Sequence, residues 1–88
     1  MIDCLTVWVG NLIAKDMDVD TATAEVLEAL SHRRSPTWII SNEIGSGIAP
    51  EDASARHFRD TCGRLHQRVA AEADQVLLMV AGLPLQVK

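Results

Sequence analysis

The chain has 88 residues, 48% of them apolar and only 3% aromatic, and twelve acidic against eight basic side chains give a formal net charge of −4. That is the composition of one small globular domain. It argues against nonspecific nucleic-acid binding, which relies on a basic surface, although Arg56, Arg59, Arg64 and Arg68 form a local exception.

Met1-Ile2-Asp3-Cys4 reads as the end of a strand that closes on an acidic group. Leu5, Trp8, Val9, Leu12 and Ile13 then recur at helical spacing and predict a first amphipathic helix with Gly10 inside it. Asp16-Met17-Asp18 breaks that pattern. Asp18 or Asp20 caps a second helix that runs to about Arg33, with Val19, Thr23, Val26, Leu27 and Leu30 on its apolar face. His32-Arg33-Arg34 set positive charge at its C-terminal end, where the helix dipole favours it. Ser35-Pro36 stops the helix, and residues 37–41 form a short, continuously apolar strand of the kind expected when both faces are covered.

Ser41-Asn42-Glu43-Ile44-Gly45-Ser46-Gly47-Ile48-Ala49-Pro50 follows. It is a strand-to-helix junction, the place where open α/β sheets bind ligands. Its glycines let backbone amides approach a ligand, and Glu43 can hold a metal ion or a hydroxyl. A plain connector with glycines for turning is the other reading. The half-match to G-x-G-x-x-G fails at Pro50, which stands where the third glycine should be.

Residues 52–73 form the longest helix. Ala55, Phe58, Cys62, Leu65, Val69 and Ala73 make its unbroken apolar stripe. Arg59, Gly63 and Gln67 line one ridge of the other face, and Gly63 is expected to mark a close backbone approach. Residues 75–81 read as a second buried strand, Gly82-Leu83-Pro84 as a turn, and residues 85–88 as a short edge strand. The crossovers are long enough for parallel pairing.

Cys4 and Cys62 form no C-x-x-C pair and fit a reducing cytoplasm as small apolar residues. His32, His57 and His66 have no zinc-ligand spacing with one another or with the cysteines. No apolar run approaches the roughly eighteen residues of a membrane helix, so no membrane segment is expected.

Four stretches go beyond pattern. They are Asp3-Cys4-Leu5-Thr6-Val7-Trp8-Val9-Gly10-Asn11-Leu12, then Ser41 to Glu51, then Ala55-Arg56-His57-Phe58-Arg59-Asp60 with Gly63-Arg64-Leu65-His66-Gln67, and the ending from Ala73-Asp74-Gln75-Val76 through Val80-Ala81-Gly82-Leu83-Pro84 to Lys88. In this order they resemble the bifunctional adenosylcobinamide kinase / adenosylcobinamide-phosphate guanylyltransferase family. The resemblance covers nearly all 88 residues.

The resemblance implies an α/β fold: the C-terminal part of a P-loop nucleotide-binding domain, with a mostly parallel sheet and a short terminal edge strand. Residues 1–88 would be a single partial domain. The implied chemistry belongs to cobalamin biosynthesis. A nucleoside triphosphate, ATP or GTP, phosphorylates adenosylcobinamide, and GTP then donates GMP through a guanylylated histidine. Mg²⁺ is the implied metal ion. By resemblance Asp3 helps hold Mg²⁺ or the nucleotide, and Asn42 and Glu43 lie beside the phosphates. Arg59 and Gln67 match positions that make substrate or oligomer contacts, and the full-length protein is implied to be a homo-oligomer.

No G-x-x-x-x-G-K-[ST] occurs in the chain. The family carries that motif and its histidine nucleophile near its N-terminus, and His32, His57 and His66 do not match that histidine. The chain is therefore expected to be a C-terminal half, inactive on its own, with no catalytic residue of its own. A non-catalytic remnant that acts only in subunit association is the alternative, and a small nucleotide-binding module without a P-loop is a third.

Overall fold

The computed structural model describes residues 1–43 and 51–88. In chain order it contains β1 (Ile2–Asp3), α1 (Leu5–Ala14), α2 (Val19–Ser31), β2 (Ile39–Ile40), α3 (Ala53–Glu72), β3 (Leu77–Val80) and β4 (Leu83–Gln86). The mixture is α/β, with a small parallel sheet in which Ile2 faces Ile39 and Asp3 faces Ile40.

Periodicity explains the helices. Leu5, Val9, Cys62 and Leu65 are buried and form the core. Ile2, Trp8, Ile13, Val19, Ile39, Phe58 and Val69 pack around them. The core is thus the contact of α1 with α3, with the parallel pair laid against it. The end of α1 follows from local chemistry. Asp16 takes a left-handed conformation at φ 59°, and the Met17 amide donates back to the Leu12 carbonyl at 2.9 Å, the long bond of a Schellman turn.

Asp18 is the cap of α2. Its carboxylate accepts from the Thr21 amide at 3.3 Å and from the Thr21 hydroxyl at 2.5 Å. Those bonds, the hydroxyl's first, hold the Asp18 carboxyl below its ordinary value. Thr23 is the one fully buried residue of α2, and its hydroxyl donates to the Val19 carbonyl at 2.7 Å. Asp52 caps α3 by accepting from the Ser54 amide at 3.0 Å. Arg68 donates to the Asp20 carbonyl at 3.2 Å and joins α3 to the start of α2.

Four expectations are corrected. The strand at residues 37–41 is not covered on both faces among the described residues. Ile39 is half-buried, whereas Trp38 and Ile40 are exposed, because the helices cover one face only. The strand at residues 75–81 is not buried, and among the described residues it does not join the parallel pair. Leu77–Val80 pairs antiparallel with Leu83–Gln86, and all eight residues are exposed. The turn expected at Gly82-Leu83-Pro84 falls instead on Ala81 at φ 52° and Gly82 at φ 76°, the left-handed pair that suits a tight hairpin, and the strand expected at residues 85–88 is Leu83–Gln86. Gly63 marks no close approach: a Cβ there would meet nothing within 4 Å.

The hairpin is fixed to the rest of the chain through Lys88. Its ammonium donates to the Ala70 and Ala71 carbonyls at 2.9 and 3.1 Å. These are among the last carbonyls of α3, where a cation also suits the dipole.

Candidate functional site

Because β1 and β2 run parallel, their carboxyl ends open on the same edge. Asp3 lies level with Ile40, so Ser41, Asn42 and Glu43 run on past it. Asp3, Asn42 and Glu43 are all exposed there. The parallel register brings these three residues to the same end of the strand pair. The stretch from Ile44 to Pro50, with Gly45-Ser46-Gly47, lies outside the described residues.

Cys4 sits between the two strand ends. Its Sγ and the Thr6 hydroxyl are 2.8 Å apart. The Thr6 hydroxyl first, and then the Val7 amide, lower the Cys4 thiol below its ordinary value, with smaller contributions from the Thr6 and Asn42 amides. The Asn42 amide thus faces a sulfur at the β1–α1 junction, and the two strand ends lie side by side. Cys62 lies beneath, with no exposed surface. Burial pushes its thiol up, and a charge on Cys4 pushes the same way.

On the other side, Ser41 Oγ lies 2.6 Å from His66 Nε2. Sequence reasoning missed this partnership. Tests of His66 for metal spacing and as a nucleophile could not reveal a contact between residues 25 apart. The available signal was its place beside Leu65 and one turn beyond Cys62, on the flank of the buried stripe.

Arg59 and Gln67 are not at this edge's hydrogen bonds. Arg59 is half-buried and reaches the neighbouring Asp60 at 3.4 Å, while Gln67 is exposed. Among the described residues no group of three or more His, Cys, Asp or Glu gathers as for a metal ion. Asp3 and Glu43 nevertheless both bear carboxylates at that edge. That donor chemistry fits Mg²⁺, which usually takes one or two carboxylates and completes its shell with water and phosphate. An open groove of about 510 Å³ lies between the C-terminal half of α1 and the first turns of α3, lined by Gly10, Ile13, Ala14, Ala53, Ser54, His57 and Phe58. It is at the far end of α1 from Asp3. No helix among the described residues is long and apolar enough to cross a membrane.

A family model described as cobinamide kinase / cobinamide phosphate guanyltransferase matches residues 1–87. The bifunctional adenosylcobalamin biosynthesis protein CobP of Pseudomonas aeruginosa is 36% identical over an alignment covering all of this chain and 52% of that protein. The CobU proteins of Salmonella typhimurium and Escherichia coli, bearing the same description, are 33% and 30% identical, again over all of this chain and 57% of theirs. The chain spans about half the length of the curated relatives it matches.

Proposed function

The chain belongs to the cobinamide kinase / cobinamide phosphate guanyltransferase family, and from that membership we propose that it supplies the strand-end carboxylates of a nucleotide-dependent transferase in cobalamin biosynthesis. The substrates are adenosylcobinamide with ATP or GTP for phosphorylation, and then GTP for GMP transfer. The phosphate-cradling loop and the guanylylated histidine come from outside these 88 residues.

The observation that carries the proposal is the parallel pairing of β1 with β2, which puts Asp3 and Asn42-Glu43 on one edge. Transfer of phosphoryl or nucleotidyl groups depends on charge neutralisation and positioning more than on covalent help from the protein. Asp3, with Glu43 beside it, would hold Mg²⁺. Bound there, the ion neutralises phosphate charge. The Asn42 side chain would hydrogen-bond the nucleotide, beside Cys4 at the β1–α1 junction.

The second reading is a non-catalytic chain that acts only in subunit association. The exposed apolar hairpin favours it: Leu78, Val80, Leu83 and Leu85 share a face and lie open to solvent.

Calorimetric titration of GTP with Mg²⁺ separates the two. The 88 residues alone are expected to bind GTP weakly and to transfer nothing. Adding a polypeptide that carries the family's phosphate loop should produce GTP binding and adenosylcobinamide phosphorylation. Association without any gain in GTP affinity supports the second reading. Micromolar GTP binding by the lone soluble monomer overturns both.

A further inference from the structure

We infer that His66 is a positioning residue for this edge: through Ser41 it fixes where the chain leaves β2 and so where Asn42 and Glu43 stand. The inference rests on the function proposed above for those two residues. Among the described residues the β1–β2 ladder ends at Asp3 and Ile40, so there strand pairing holds nothing beyond Ile40. A side-chain tie takes over there: Ser41 Oγ lies 2.6 Å from His66 Nε2 in the middle of α3, and the Asn42 amide that follows faces the Cys4 sulfur at the β1–α1 junction.

His66 is well anchored for the task. It follows Leu65, 3% exposed, and lies one turn past Cys62, 0% exposed. The core therefore sets the place of its backbone, and the residue is itself half-buried. The serine hydroxyl both donates and accepts, so it can bond the imidazole in either protonation state. Such a bond suits holding a position. Transferring groups need placement to within a fraction of an ångström, and supporting hydrogen bonds supply it.

The test compares His66→Ala, Ser41→Ala and His66→Gln in the full protein. Glutamine keeps a hydrogen-bonding group at the reach of Nε2 and cannot serve as a base. Both alanine variants should speed amide exchange at Asn42 about tenfold, as expected for one lost hydrogen bond, and leave Val9 and Leu12 unchanged. His66→Gln should restore slow exchange. Unchanged exchange at Asn42 in the alanine variants overturns the inference. So does equal acceleration at Val9 and Leu12, and so does a glutamine variant that behaves like alanine.

Turnover gives the second readout. The alanine variants should lower kcat about tenfold while KM for adenosylcobinamide stays within about twofold. Unaltered kcat also overturns the inference. If the wild-type protein transfers no phosphate, the functional proposal fails, and the exchange result alone decides the role of His66.

Discussion

Asp3 carries the heaviest functional assignment from an exposed position. It is exposed at the end of a two-residue strand, so its carboxylate adds little to folding. Asp3→Asn in the full protein is expected to leave the melting temperature nearly unchanged, as surface substitutions usually do within about 0.5 kcal/mol. Turnover should fall by about 100-fold or more, the scale of a removed charge contact to a transferring group. Rate and melting curves on the same preparation check it; unchanged turnover removes Asp3 from the site. Asp18 is a different kind of carboxylate. Its bonds to Thr21 lower its pKa in the folded state. A carboxyl depressed on folding stabilises above its unfolded value and loses that contribution as pH falls through the folded value. Asp18→Ala should therefore lower the melting temperature at neutral pH, and the difference from wild type should shrink once the pH drops below the ordinary carboxylate range. A difference that stays constant down to strongly acid pH would show that the cap does not act through its charge.

Helices were legible in the sequence because burial follows a period within each segment. The stripe Ala55, Phe58, Cys62, Leu65, Val69 and Ala73 is buried or half-buried along its whole length, and Asp18 and Asp52 cap where short acidic residues precede apolar periods. Leu65→Ala should cost about 2–5 kcal/mol, whereas exposed Arg64→Ala should stay within about 0.5 kcal/mol; denaturant titration giving the reverse order refutes the assigned helix face. Phe58 is half-buried and should fall between them. Strands were less legible. A run such as Leu77-Leu78-Met79-Val80 records that apolar partners are needed, not which segment provides them. The Ser41–His66 bond was invisible for the same reason: it is long-range, and nothing local encodes it. Gly63 extends the point to a prediction. With open space where a Cβ would stand, Gly63→Ala should stabilise α3 in the 88-residue chain by about 0.5–1 kcal/mol. Destabilisation of the chain alone would contradict the open geometry around it.

At the scale of the molecule, the unequal coverage of the two sheets is the main fact. The parallel pair leans on α1 and α3, while β3 and β4 expose every side chain. A lone two-stranded hairpin is marginal in water and needs a covered face to persist. Here Lys88 holds its base against α3, but Leu83 is 70% exposed and Leu85 54%. A contiguous apolar surface of this kind favours association. The 88 residues alone should therefore self-associate, and the double substitution Leu83→Lys, Leu85→Lys should shift sedimentation velocity towards monomer. Like charges on the ribbon oppose edge-to-edge pairing. In a longer protein whose other half covers the ribbon, the same pair of lysines must be buried without partners. Burial of unpaired charge is costly, so there the double variant should lose several degrees of melting temperature and fall out of the soluble fraction. The sign of the effect thus reports what covers β3 and β4. Improved behaviour in both contexts would mean that nothing covers them. Damage already in the 88-residue chain would mean that the hairpin face is part of its own core, contrary to the exposure of all eight residues.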